Sequence, residues 1–320
     1  MPRTPDLVSD SKLITEFSNS ATIHAVHDID EAGSRSYRKE YWKWDRNFGY
    51  GRFGAVLLQI CVTTGAKQDA LRAVKVINKS PNFNRELEAI AKFSHKRYEH
   101  WFVKSFGWYE DLSSIFITME YCHYGDLHHY LFNQRSLLAV EAQQVTRQIL
   151  EGLDHMHKNE FAHRDLKPGN ILIKLKPPEG KWWVVLADFG ISKRDEESNA
   201  PTTTIQGTKG YMAPELLGFP DLTKPKHISD FKAADMWALG EIAFRMLTGN
   251  ATFKSEWELM EYYQQKRPFP SDQLPSSARG DGEEFICNLI GMRPNMRMTT
   301  TQCLEHRWIE SQRITLEELG

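Results

Sequence analysis

The stretch His163-Arg164-Asp165-Leu166-Lys167-Pro168-Gly169-Asn170 decides how this chain reads. It places a carboxylate, an amine and an amide in one short run. Transfer of a phosphoryl group needs an acceptor hydroxyl held in line and metal ions that neutralise the phosphates, with little covalent help from the protein. Asp165 can accept the hydroxyl proton, Asn170 can offer its amide oxygen to a magnesium ion, and Lys167 can reach a phosphate oxygen beside the hydroxyl. Pro168 stiffens the turn and removes a backbone donor. A polar loop with a helix cap is the plain alternative for so short a run, and flanking motifs in a fixed order separate the two readings.

Those motifs lie on both sides. Upstream, Phe48-Gly49-Tyr50-Gly51-Arg52-Phe53-Gly54-Ala55-Val56 leads into the apolar run Leu57-Leu58-Gln59-Ile60. Its glycines let backbone N–H groups approach phosphates with no Cβ in the way. The glycine pattern sits between two strand-like runs, not between a strand and a helix, which argues against a dinucleotide-binding fingerprint. Leu71 to Ile77 alternates and is β-rich, with Ala73 and Lys75 two residues apart. Asn84 to Phe93 has a helical apolar face at Leu87, Ile90 and Ala91 and offers the acids Glu86 and Glu88. A second β-run, Ile115 to Met119, leads into Glu120-Tyr121-Cys122-His123-Tyr124-Gly125-Asp126-Leu127. Val140 to His157 carries helical spacing at Val145, Ile149, Leu153 and Met156, with His155 and His157 read as surface or packing residues. Downstream, a short strand Ile171-Leu172-Ile173 and a strand from Trp182 to Ala187 precede Asp188-Phe189-Gly190. Gly207-Thr208-Lys209-Gly210-Tyr211-Met212-Ala213-Pro214-Glu215 follows.

In this order the motifs resemble those of protein kinases over about residues 45 to 310, and Lys167-Pro168 resembles the serine/threonine branch. The resemblance implies an α+β, bilobal fold with a β-rich N-lobe, a mainly helical C-lobe, and ATP and Mg2+ between them. It sets a partly disordered extension at 1–40, a kinase domain at 41–310 and a short tail at 311–320. Within the domain the N-lobe would span about 41–119, the hinge 120–123 and the C-lobe 124–310. Phe48 to Val56 would fold over ATP, with Val56 and Ala73 against the adenine. Lys75 would hold the α- and β-phosphates, partnered by Glu86, with Glu88 the alternative. Met119 would stand behind the adenine, the backbone of Glu120 and Cys122 would bond its edge, Asp126 would face the ribose, and Leu172 would close the pocket below. Asn170 and Asp188 would bind magnesium, and Thr208 would hydrogen-bond Asp165 and Lys167. Asp235 would hold the catalytic-loop backbone, and Arg297 would pair with Glu215. Ser192, Ser198 and Thr202-Thr203-Thr204 offer hydroxyls to an upstream activating kinase, with Arg164 placed to receive the phosphate. Met119-Glu120-Tyr121 and the Leu304-x-His306-x-Trp308 ending resemble the calmodulin-dependent and checkpoint-type groups.

The implied activity is transfer of the ATP γ-phosphoryl group to Ser/Thr hydroxyls of protein substrates. Two alternatives belong to other classes: a catalytically weak pseudokinase acting as a scaffold, and a small-molecule phosphotransferase. Lys75, Asp165, Asn170 and Asp188 weigh against the first, and Thr208 with Ala213-Pro214-Glu215 against the second. Gly169 stands where many basophilic members carry an acid, so a preference for basic peptides is weakened to what Asp126 supplies.

A net charge of −2 over 320 residues gives no global drive toward nucleic acid or an anionic membrane. Cys61, Cys122, Cys287 and Cys303 form no C-x-x-C pair, which favours free thiols in a reducing compartment. Met1 to Asp10 has no apolar core of a signal peptide, and the most apolar run, Trp182 to Ala187, is too short to span a bilayer. The expectation is an intracellular monomer, cytoplasmic and/or nuclear, without nucleic acid or membrane partners. Within the mixed polar residues 1–40, Leu13-Ile14 and Phe17 suggest at most a short helix.

Overall fold

The computed structural model describes residues 8–29, 35–51, 54–63, 68–79, 83–188, 208–219 and 228–311. The chain divides into two compact units, Met1–Tyr121 and Cys122–Gly320. Its β-rich first unit and mainly helical second unit are the α+β architecture expected from the motifs.

The first unit is built on seven strands: β1 (Thr15–Phe17), β2 (Thr22–Ile29), β3 (Arg35–Gly51), β4 (Gly54–Cys61), β5 (Leu71–Asn78), β6 (Ser105–Glu110) and β7 (Ser114–Glu120). They form one antiparallel sheet in the order β1-β2-β3-β4-β5-β7-β6, with helix α1 (Phe83–Phe93) following β5. The two-residue period of a strand then fixes which side chains share a face. Val56 stands opposite Lys75, and Ala73 opposite Met119, so four residues assigned to the nucleotide line one face. Gly54 starts β4 with φ +130°, and a Cβ there would stand 1.8 Å from the Val76 carbonyl oxygen. A side chain at this position is excluded both by backbone strain and by the close approach of β5.

The N-terminal residues differ from the loose extension expected through residue 40. β1 and β2 pair into the sheet, Thr15–Phe17 is a strand and not a helix, and β3 runs across the assigned boundary at 40–41. The reason is a buried polar network that looks like surface composition in sequence. Thr22, His24, Glu40, Gln59 and Arg72 are all buried. Arg72 Nε donates to Gln59 Oε1 at 2.8 Å, Gln59 Nε2 donates to Thr22 Oγ1 at 3.1 Å, and the guanidinium lies 3.9 Å over the Trp42 ring. His24 completes the network, with Nε2 2.7 Å from Arg72 Nη2 and Nδ1 2.9 Å from Thr15 Oγ1. Because Arg72 can only donate, His24 Nε2 accepts and its proton sits on Nδ1, facing the threonine hydroxyl. Each polar group thus has a partner, which is what burial requires.

This arrangement makes the first unit sensitive to acid. Burial, and then the Arg72 charge, lower His24 from 6.5 to about 3, against a weaker opposing pull from Glu40. The unfolded chain takes up a proton below about 6.5 while the folded unit refuses it until about 3, so stability falls as the pH drops through that window. Urea denaturation across a pH series, followed by tryptophan fluorescence, should show this slope, and His24→Gln should flatten it.

The second unit contains α2 (Leu127–Gln134), α3 (Ala139–Lys158), β8 (Ile171–Leu175), β9 (Trp183–Leu186), α4 (Pro214–Leu217), α5 (Ile228–Thr248), α6 (Glu256–Tyr263), α7 (Asp281–Leu289), α8 (Thr300–Leu304) and α9 (Arg307–Glu310). On α3 the expected face Val145, Ile149, Leu153 and Met156 is buried, and the Glu141 carboxylate accepts the Leu138 N–H at 3.0 Å at its start. Buried residues occupy all sides of α5 between Ala234 and Leu247, the pattern of a core helix. Among the described residues no helix is long and apolar enough to cross a membrane.

Candidate active site

In the second unit the centre is a short turn between α3 and β8. Pro168 opens a single 3-10 turn, Pro168–Asn170, and Asn170 then leads directly into β8. Asn170 Nδ2 donates to the Asp165 carbonyl at 2.8 Å, and the Asn170 carbonyl accepts the Ala187 N–H at 2.9 Å. Lys167 Nζ reaches Asp165 Oδ2 at 2.6 Å and Thr208 Oγ1 at 3.0 Å. The Thr208 hydroxyl in turn donates to Asp165 Oδ1 at 3.1 Å. So the three residues assigned to catalysis share one closed set of hydrogen bonds, with Asp165 buried and Thr208 exposed. Asp165, Thr208, Tyr211, Met212 and Leu216 line a small adjoining recess that opens to solvent.

The turn is held from below by Asp235 on α5. Its buried carboxylate accepts the backbone N–H groups of His163 and Arg164, both at 2.8 Å, and lies 2.9 Å from His157 Nε2. His163 is also fully buried, with Nε2 3.1 Å from the Ala187 carbonyl. Arg164 adopts φ +69° and Asp188 φ +62°, and the Arg164 guanidinium packs 3.7 Å over the Phe231 ring. Left-handed backbone at non-glycine residues is costly and persists where the surroundings impose it. At Arg164 the Asp235 carboxylate supplies that constraint. At Asp188 it comes from the neighbouring Ala187, whose N–H and carbonyl are both bonded to the turn.

Asn170 and Asp188 fit a magnesium ion by the chemistry of their donors. The Asn170 amide nitrogen is committed to Asp165, which turns the amide oxygen the other way, and Asp188 adds a carboxylate. Hard oxygen donors of this kind suit Mg2+.

The loop after Thr208 is anchored by α4 and α5. Glu215 and Arg297 form a bidentate pair at 2.7 Å on each arm, fully buried, and Arg297 also donates to the Gly291 and Ala233 carbonyls. Arg245 Nη2 donates to the Gly210 carbonyl at 2.9 Å and the guanidinium lies 4.3 Å over the Tyr211 ring. Beneath it, Glu241 is 3.6 Å from Arg245 Nε, and burial pushes its carboxyl up to about 7.

The residues assigned to the nucleotide fall in both units. In the first, Lys75 is buried on the face shared with Val56, Ala73 and Met119. Phe48 stacks on Tyr121 with ring centroids 5.7 Å apart. Glu120 N donates to the Lys104 carbonyl and its carboxylate accepts the Lys104 N–H. Arg52, Phe53 and the side chain of Glu86 lie outside the described residues, as do 189–207 with the activation-loop hydroxyls and 220–227. In the second unit, Cys122 is buried and its carbonyl accepts the Gly125 N–H at 3.0 Å. Asp126 caps α2, accepting the His129 N–H at 2.8 Å, and bridges to Leu172.

Sequence reading did not single out three supporting residues. His157 is a strut under the turn. Its signal was its place on the buried face of α3 with Leu150 and Leu153 at helical spacing. Glu241 and Arg245 form an i,i+4 ion pair on α5, and Arg245 ties that helix to the Gly210–Tyr211 loop.

Comparison with known proteins agrees with this geometry. The model of the protein kinase domain matches residues 42–309. The chain is 31% identical over 295 residues to calcium/calmodulin-dependent protein kinase type 1 of Caenorhabditis briggsae, covering 88% of this chain and 76% of the relative. It is 29% identical over 287 residues to the calcium/calmodulin-dependent protein kinase of Metarhizium anisopliae, covering 87% and 70%. Similarity to the serine/threonine-protein kinase RAD53 of Saccharomyces cerevisiae reaches 30% over 296 residues, 88% of this chain and 34% of the yeast protein.

Proposed function

The chain belongs to the protein kinase family, with serine/threonine kinases among its relatives, and from that premise we propose how its own residues carry the reaction. The observation that carries the reading is the closed set of hydrogen bonds among Asp165, Lys167 and Thr208. Asp165 orients the acceptor hydroxyl and takes up its proton. Thr208 and Lys167 fix the two carboxylate oxygens, so the carboxylate needs no reorganisation when substrate arrives. Lys167 also steadies the phosphate oxygen nearest the hydroxyl. Bound magnesium–ATP supplies the transferable γ-phosphoryl group, its charge spread over metal and protein donors. Asn170 and Asp188 hold the metal, and Lys75 holds the α- and β-phosphates. Val56, Ala73, Met119 and Leu172 border the adenine, with the Glu120 and Cys122 backbone at its edge, Asp126 at the ribose and the glycines from Gly49 to Gly54 over the phosphates.

The substrates in this reading are proteins presenting Ser or Thr. An upstream kinase acts on the hydroxyls between Ile191 and Gln206, and the protein works as an intracellular monomer. Purified protein with magnesium-ATP on a peptide array tests the reading: incorporation at Ser or Thr supports it, and an array with no incorporation overturns it.

The Lys75 assignment has its own test. Lys75→Met should raise the ATP KM or lower kcat by about 10-fold or more, and loss of its helix acid should do the same, with the two effects far from additive because they act through one ion pair. Steady-state kinetics of Lys75→Met, Glu86→Ala, Glu88→Ala and the doubles decides it. A large effect at Glu88 and none at Glu86 would move the partner by two positions.

A further inference from the structure

We propose that the N-terminal segment, residues 8–17, is a positioning element for catalysis: it joins the two edges of the first unit's sheet and thereby seats α1 against it. The proposal rests on the kinase reading, since α1 is the helix that carries the acid assigned to Lys75.

One continuous segment touches both sheet edges. Residues 15–17 pair with β2, and residues 11–13 bond β6, the strand at the opposite end of the order. Trp108 N donates to the Ser11 carbonyl at 3.1 Å, and Leu13 N donates to the Trp108 carbonyl at 2.7 Å. The Trp108 indole N–H reaches the Val8 carbonyl at 2.8 Å. β6 is shaped to receive the segment. Gly107 has φ +111°, and a Cβ there would stand 2.5 Å from the Ser11 carbonyl oxygen.

The segment then reaches the elements that matter for Lys75. Val8 packs on a cluster of Ile77, Leu87, Trp108, Ile115 and Ile117, which Ile90 and Met119 also join. Leu87 and Ile90 are the apolar face of α1, Ile77 belongs to the strand of Lys75, and Met119 lies on the same sheet face as Lys75. A second tie runs through charge: Lys12 and Lys79 both meet the Glu110 carboxylate, at 2.5 and 2.6 Å, and Lys79 directly follows β5. An isolated helix as short as α1 is marginal and takes its order from packing. Val8 and Trp108 contribute to the apolar cluster on which α1 rests. A segment that only covered a sheet edge would need the bonds to β6 but no contact with the cluster under α1.

Full-length Val8→Asp and Leu13→Pro test this, with Val8→Ile as the conservative control. The first puts a charge into the cluster, and the second deletes the N–H that bonds Trp108. The readouts are kcat and ATP KM with magnesium-ATP and an array-derived peptide, affinity for a non-hydrolysable ATP analogue, and amide exchange in residues 83–93 and 228–248. The expected result is roughly a tenfold loss in kcat/KM for ATP, with faster exchange in 83–93, unchanged exchange in 228–248 and wild-type behaviour of Val8→Ile. Wild-type kinetics with faster exchange confined to residues 8–29 would overturn the proposal and leave an edge cover. Faster exchange throughout both units would overturn it as well, as general unfolding. If the wild-type chain phosphorylates no peptide, the kinase reading itself fails; analogue affinity and exchange in 83–93 then still decide whether the segment seats α1.

Discussion

Asp165→Asn lowers phosphoryl transfer by about 10²–10⁴-fold, the range expected when a general base is removed, and leaves nucleotide affinity close to wild type. The split follows from position. Asp165 is bonded to Lys167, Thr208 and, through its carbonyl, Asn170, and none of these three is a residue assigned to the adenine. The amide of Asn is nearly isosteric and keeps one oxygen for Lys167 or Thr208, so the turn should stay folded. It has no capacity to take up the hydroxyl proton. Single-turnover kinetics alongside titration of an ATP analogue measures both halves. Turnover within a few-fold of wild type would remove Asp165 from the reaction.

Arg297→Ala costs the second unit about 3–5 kcal/mol, because it leaves the Glu215 carboxylate buried with no counter-ion. The guanidinium and carboxylate are 0% and 1% exposed, so water cannot replace the lost partner. The Gly291 and Ala233 carbonyls lose their donor in the same step. Urea denaturation followed at unit 2 tryptophans such as Trp237, which Arg297 packs 5.1 Å beneath, reads the loss directly. Removing Glu215 as well should restore part of it, giving a double variant less destabilised than the sum of the singles. A strictly additive double would mean that the pair contributes little beyond its separate contacts.

The sequence determined what is local. Asp165, Lys167 and Asn170 lie close together in sequence around the turn that Pro168 opens, so their meeting needed only local geometry. The alternation from Leu71 to Ile77 was enough to put Ala73 and Lys75 on one face, because a strand's period admits no other arrangement. The apolar spacing of α3 gave that helix and its buried side. Tertiary structure decided the rest. Which strands flank β5, and so which residues stand opposite Lys75, depended on pairings across long separations. Asp235 becomes the support of the turn only because α5 passes beneath it, bringing together residues 71 to 78 positions apart. The N-terminal strands were hidden for a different reason. Thr22, His24, Gln59 and Arg72 carry the composition of a solvated surface, and they are stable in the interior only because they satisfy one another's hydrogen bonds. Residue type records the cost of burying a polar group, while the partners that offset it exist only in the folded chain.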